Sequence, residues 1–145
     1  MIEGLTLTKT HLRLLNALLV EADEEEGVAI LFGAPDEDPQ HWIIEPLFNE
    51  AAAHEAHKRC EVTIEQLQPV LERQRAAGRD IQAWWHSHPS GAAIPSETDH
   101  ANDEVPLMLI SSGATLKYES QRHRAWWVEP GERAAEVPMG FGSPS

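Results

Sequence analysis

The chain has a single cysteine, Cys60, in 145 residues, which excludes an intrachain disulfide framework and any site built from several thiolates. It is also short of positive charge: 11 lysines and arginines stand against 24 aspartates and glutamates, a formal net charge of −13. That balance argues against binding driven by phosphate neutralisation, so no nucleic acid partner is expected, while a protein partner with a basic face stays compatible. No apolar run approaches the ~20 residues of a membrane span, and Met1 is not followed by a basic segment with an apolar core. No membrane association is expected, and the cytoplasm is the expected location. No internal repeat or linker is visible.

What is present is an ordinary globular balance, 41% hydrophobic and 24% charged, with length for one domain and a real core. Leu5 to Thr8 alternates as a short strand. Thr8 or Thr10 can then cap a helix to about Ala22, with Leu12, Leu15, Leu18 and Leu19 on one face. After the acidic run Asp23-Glu24-Glu25-Glu26, the apolar stretch Gly27 to Phe32 reads as a buried strand stopped by Gly33. Trp42 to Phe48 reads as its antiparallel partner, ending near Asn49. Glu50 to Glu61 has no period and is expected to be a loop.

Thr63 and Gln66 have capping-box spacing for a helix running to about Ala77 and stopped by Gly78. Pro69 would break one of its bonds, which moves the expected regular start toward Gln68. Ile81 to His88 is the next strand, and Ser96 with Asp99 opens a short helix. Leu107–Ile110, Thr115–Glu119 and Arg124–Val128 read as closing strands, with turns at Gly113 and Gln121-Arg122. The tail from Gly131 is expected to fray. The result is one domain over 1–130 and a flexible tail over 131–145, with the element order of an α/β or α+β sandwich.

The informative stretch runs from Trp84 through His86-Ser87-His88-Pro89 to Ser96 and Asp99. On a strand, residues two apart share a side, so His86 and His88 present two imidazoles to one point. Pro89 ends the strand, and Gly91 and Pro95 turn the chain back toward a helix with Asp99 in its first turn. Two histidines and a carboxylate are the three ligands that leave a tetrahedral zinc one open position for water. Such a site also needs a carboxylate base, for which the acidic run before the buried strand is the place to look. It needs an oxyanion donor too, and Ser96 is the candidate. Each residue alone has a plainer explanation: His-x-His pairs on strands are common, Asp99 could serve a helix dipole, and Ser96 could be a cap. Their joint spacing favours the metal centre.

This pattern resembles the JAMM motif of the JAB1/MPN/Mov34 metalloenzyme family: an upstream Glu, then His-Ser/Thr-His-Pro, then after seven residues a Ser, two residues and an Asp. His86, His88, Ser96 and Asp99 meet every fixed position. In the family the catalytic Glu usually lies seven residues before the Gly that ends the following strand. Counting back from Gly33 gives Glu26, with Glu25 the alternative; the usual Gly three residues on is Ala29 here, a departure. The resemblance spans about Leu5 to Val128 and includes an Asn, Asn49, after the second strand.

The resemblance implies a compact prokaryotic-type domain with a cytidine-deaminase-like MPN/JAB sandwich, a curved, mostly antiparallel central sheet flanked by helices. It implies one catalytic Zn2+ with a bound water held by His86, His88 and Asp99, Glu26 as proton shuttle, and Ser96 steadying the oxyanion. The implied activity is that of a zinc metallopeptidase cutting an isopeptide or peptide bond at the C-terminus of a ubiquitin-like protein, in a conjugate or precursor. Peptidoglycan peptides are an alternative substrate, and a non-catalytic MPN scaffold is an alternative role.

Three features stand outside that pattern. His54, His57 and Cys60 have His-x-x-His-x-x-Cys spacing but no evident fourth ligand, and are expected to flank the groove rather than bind a second metal. One Trp in each of Trp84-Trp85 and Trp126-Trp127 should face the core and the other the opposite sheet face. An outward Trp could line a groove for an extended substrate tail or meet a partner, which leaves a homodimer open.

Overall fold

A computed structural model describes residues 1–58, 60–96 and 105–142. The fold begins with a short strand, β1 (Leu5–Leu7), and a helix, α1 (Lys9–Ala22). Thr8 caps α1: its Oγ1 accepts from the His11 N–H at 3.1 Å, and His11 Nδ1 accepts from the Thr8 N–H at 3.0 Å. The reciprocal partner is a histidine in place of the usual Glu or Gln. Its other nitrogen, Nε2, donates to the Trp42 carbonyl at 2.7 Å, which pins the start of α1 to the chain entering the sheet.

Six strands form the main sheet: β2 (Val28–Gly33), β3 (Ile43–Leu47), β4 (Asp80–His88), β5 (Leu107–Ser112), β6 (His123–Trp127) and β7 (Ala135–Val137). Their spatial order is β3-β2-β4-β5-β6-β7. Every pairing is antiparallel except β4 with β5. A parallel pair needs a crossover, so the chain must leave the sheet after His88, and the loop it leaves by is where the site lies. β1 pairs in parallel with β8 (Met139–Phe141) in a separate two-stranded sheet.

All six residues of β2 are buried, as its unbroken apolar run demands. Burying each of Ile30, Leu31 and Phe32 contributes roughly 1.5–3 kcal/mol. One sheet face, carrying Ala29, Leu31, Ala83, Trp85, Leu109 and Ala125, packs against Leu15 of α1 and Leu5 and Leu7 of β1. The opposite face carries Met108, Ile110 and Trp126, packed with Ala93 and Val128. Each tryptophan pair is therefore split, with Trp85 and Trp127 on the α1 side and Trp126 on the other. Among the described residues, no helix is long and apolar enough to cross a membrane.

Three segments differ from the expectation. The second helix, α2 (Ile64–Ala76), starts directly after its Thr63 cap and carries Pro69 inside. The proline is exposed, and it forfeits a single intrahelical bond at a place where water can satisfy the freed carbonyl. The Gln66 side chain does not close the expected box; it accepts from the Phe48 N–H and donates to the Phe48 carbonyl at 2.9 Å, pairing with the chain just past β3.

Thr115–Glu119 is not a strand. Both edges of β5 are already taken by β4 and β6, so this segment finds no partner and gives way to a 3-10 turn at Glu119–Gln121. The tail expected to fray contributes β7 and β8. Val137 is fully buried against the α1-side core, with Met139 and Phe141 packed at its margin. An Arg124–Glu136 ion pair at 2.7 Å ties β7 to β6. The Gly, Pro and Ser content of the tail masked this alternation of apolar residues.

Candidate metal centre

His86 and His88 project from the last turn of pleat in β4. That backbone is held on one side by β2, where Val28 faces His86, and on the other by β5, where Ile110 and Ser112 face His86 and His88. The two Nε2 atoms lie 3.2 Å apart. His88 Nδ1 donates to the Ala92 carbonyl at 2.7 Å. A carbonyl only accepts, so the proton of a neutral His88 sits on Nδ1 and its Nε2 presents a lone pair to His86.

Glu26 completes the cluster: one carboxylate oxygen and one nitrogen from each histidine all lie within 4.8 Å of one another. Glu26 and His86 are both buried, whereas Asp23, Glu24 and Glu25 are exposed. The donors suit a zinc ion. With Zn–N bonds of ~2.0–2.1 Å at the tetrahedral angle, two imidazole nitrogens stand about 3.3 Å apart, against 3.2 Å here.

The loop after β4 is shaped by capture of its carbonyls. Ser112 Oγ donates to Gly91 O at 2.6 Å, His88 Nδ1 to Ala92 O, and Trp126 Nε1 to Ala93 O at 2.9 Å. The Gly113 N–H adds a bond to His88 O at 2.9 Å. A side chain at Gly113 would bring its Cβ within 2.6 Å of the Pro89 carbonyl oxygen, so the close approach requires glycine.

Glu26 sits before the ladder of β2 and is held by other means. Ser87, fully buried between the two histidines, accepts from the Gly27 N–H through Oγ at 2.7 Å, and its own N–H donates to Gly27 O at 3.1 Å. The Glu26 N–H donates to Ala56 O at 2.6 Å, and Asn49 Nδ2 donates to Glu26 O at 2.8 Å.

A cavity of about 480 Å³ opens on the cluster, lined among others by Glu26, His57, Lys58, His88 and Ser96. The 50–61 loop thus contributes a wall with His57 and Lys58. His54 lies beside Glu55, 3.9 Å away. Among the described residues, Glu26, His86 and His88 are the one set of His, Cys, Asp and Glu side chains placed to share a metal; His54, His57 and Cys60 do not form another. Ser96 shares the cavity, and Asp99 lies outside the described residues.

Behind the site a polar chain crosses the α1-side core: Trp85 Nε1 donates to Ser111 Oγ at 2.8 Å, Ser111 Oγ lies 2.6 Å from His123 Nδ1, and His123 Nε2 lies 2.7 Å from Asn16 Oδ1. Burial lowers the His123 pKa to about 4, helped by the charge of Arg122 and opposed by Glu119.

In sequence, Ser87 stood only as the Ser/Thr position of the motif, and Asn49 was noted without a task. Neither role is visible in residue pattern, because both act on backbone groups of a segment far along the chain.

A mostly antiparallel sheet with helices, and a His-x-His strand end beside a buried Glu, define a JAB-type domain. The family described as prokaryotic homologs of the JAB domain matches residues 8–129, and the chain belongs to it. Its fold is similar to that of protein DSY2949 from Desulfitobacterium hafniense, with a TM-score of 0.74 and 20% identity over 96% of this chain and 93% of that one. A protein from Salinibacter ruber is similar with a TM-score of 0.64 and 21% identity over 95% and 92%. At such identities the likeness speaks to fold alone. No curated protein matches the sequence.

Proposed function

We propose that this chain is a JAMM-type zinc metallopeptidase that hydrolyses an isopeptide or peptide bond at the C-terminus of a ubiquitin-like protein. The observation that carries this reading is the meeting of Glu26, His86 and His88 at one point, with His88 already in the ligating tautomer. His86, His88 and Asp99 would hold one zinc ion. When bound, the ion supplies Lewis acidity and brings the pKa of water at the site to about 7.

The chain's own residues divide the remaining work. Glu26, buried and close to both imidazoles, takes a proton from water at the site and returns it to the departing amine. Ser96, on the cavity wall, donates its hydroxyl to the oxyanion that forms from the substrate carbonyl. Lys58 adds a positive charge to the lining of the cavity in a chain that is otherwise acidic. The ubiquitin-like substrate rests on the family resemblance.

The test is metal analysis of the purified chain, then cleavage of a panel of ubiquitin-like fusions, with ε-linked and α-linked extensions, with and without a chelator. Stoichiometric zinc is expected, with chelator-sensitive cleavage that Glu26→Gln lowers by about 10²–10⁴-fold, the worth of a positioned general base. A chain that neither retains zinc nor gains activity on adding it would refute the reading. Release of peptides from cell-wall material, with the fusions untouched, would move the substrate to peptidoglycan. Zinc-loaded chain that cleaves nothing would favour a scaffold role.

A further inference from the structure

We propose that Asn49 is the positioning residue for the catalytic base: its side-chain amide holds Glu26 in place against His86 and His88. Glu26 precedes the first paired residue of β2, which is Val28, so no ladder fixes its backbone. Its carbonyl accepts from Asn49 Nδ2 at 2.8 Å, and its N–H donates to Ala56 O at 2.6 Å. The same Nδ2 lies 3.4 Å from Ala56 O, so one amide nitrogen bridges the two carbonyls that flank the base. On its other side, Asn49 Oδ1 accepts from the N–H groups of Ala51 at 2.9 Å and Glu61 at 3.0 Å.

Two carbonyls on one side and two N–H groups on the other call for a group that both donates and accepts twice. Only a carboxamide does so, and glutamine is longer by a methylene. Aspartate has the right shape but no donor, and would set a carboxylate oxygen against two carbonyl oxygens. Asn49 therefore joins the base to three points of the 50–61 loop: Ala56 and, at its two ends, Ala51 and Glu61. His86 and His88 depend on none of these bonds, because β2 and β5 hold them. Removing the amide should move the base and leave the metal.

This assignment rests on Glu26 being the proton acceptor, so the experiment includes a readout free of activity. The full-length zinc-loaded Asn49→Asp variant is compared with the wild type for zinc per chain, kcat and KM on a cleaved fusion, and hydrogen exchange at the Glu26 amide. Zinc stoichiometry and KM should be unchanged, and kcat should fall by about 10²-fold, as displacement of a catalytic group by about 1 Å does. Exchange at Glu26 should quicken by about ten-fold, the loss of one hydrogen bond, while Ile30 and Leu109 stay protected. Wild-type kcat, or a loss of kcat with wild-type exchange at Glu26, overturns the assignment.

If Asn49→Asp does not fold, Asn49→Ser removes the bridge without adding charge and should give the same pattern. Loss of protection at Ile30 and Leu109 in both variants would make Asn49 a folding residue and overturn the assignment. If the wild type cleaves nothing, the enzymatic reading falls by itself. Exchange at Glu26 then decides alone whether Asn49 holds that residue.

Discussion

Replacing Ser87 by alanine tests how the two halves of the centre are joined. Ser87 is fully buried, and its Oγ is the acceptor for the Gly27 N–H at 2.7 Å. Alanine fills nearly the same space, so the change is close to a pure deletion of that acceptor. A buried donor left unsatisfied costs about 1–3 kcal/mol, and Gly27 is only half-buried, which puts the expected loss at about 1–2 kcal/mol. The bond from the Ser87 N–H to Gly27 O at 3.1 Å remains, so the strands should stay in register.

For a domain of this size such a loss lowers Tm by about 2–8 °C. Zinc should stabilise variant and wild type by the same increment, because that increment depends only on metal affinity and concentration, and the histidines keep their own supports. The assay is urea unfolding of both proteins, metal-free and zinc-loaded, beside a competition measurement of zinc affinity. A stability change below about 0.5 kcal/mol, the scatter of neutral surface substitutions, would show that the Ser87–Gly27 bond carries no weight. A reduced zinc increment would show that Ser87 supports the ligands rather than the segment bearing Glu26.

Gly113→Ala should cost about 1–3 kcal/mol, the usual penalty of forced overpacking, and weaken zinc binding, since the Pro89 carbonyl that must yield follows His88 directly; unchanged melting and zinc titration would contradict this. His123 gives a pH dependence with a defined sign. Its folded-state pKa of about 4 lies below the ordinary 6.5, so its contribution is full above pH ~6.5 and is lost as pH falls toward ~4, roughly 3 kcal/mol at most. Urea unfolding of the wild type and His123→Gln across that window should show a shallower pH slope for the variant, and equal slopes would refute the attribution.

The two histidines were legible in sequence because strand geometry repeats every two residues and Pro89 marks the strand's end. Glu26 was legible by a count from Gly33 that needs no knowledge of its surroundings. What distinguishes it physically from Glu25 is burial beside His86, which no local pattern reveals. The helix around Pro69 and the strands at 135–141 were read less well because each depends on something distant. Pro69 survives because α2 is anchored through Gln66 and an Arg73–Glu45 ion pair. Thr115–Glu119 has respectable strand composition but sits in the connection between β5 and β6, which pair with each other, whereas Ala135–Val137 is modest in composition and joins the other side of β6. Edge availability belongs to the whole sheet, and periodicity within one segment cannot report it.

The loop after β4 takes its shape from three successive main-chain oxygens, at Gly91, Ala92 and Ala93, each claimed by a side chain from elsewhere. Every residue has such an oxygen, so the identities at 91 and 92, both of them exposed, are only weakly constrained by the fold. Ala93, buried against Trp126 and Ile110, is the exception. A descendant of this sequence could vary those two positions, and through residue 91 the chemistry of the cavity lining, without disturbing how the imidazoles are aimed. Part of the cavity wall is thus also a place where new preferences could be acquired at little cost to the scaffold.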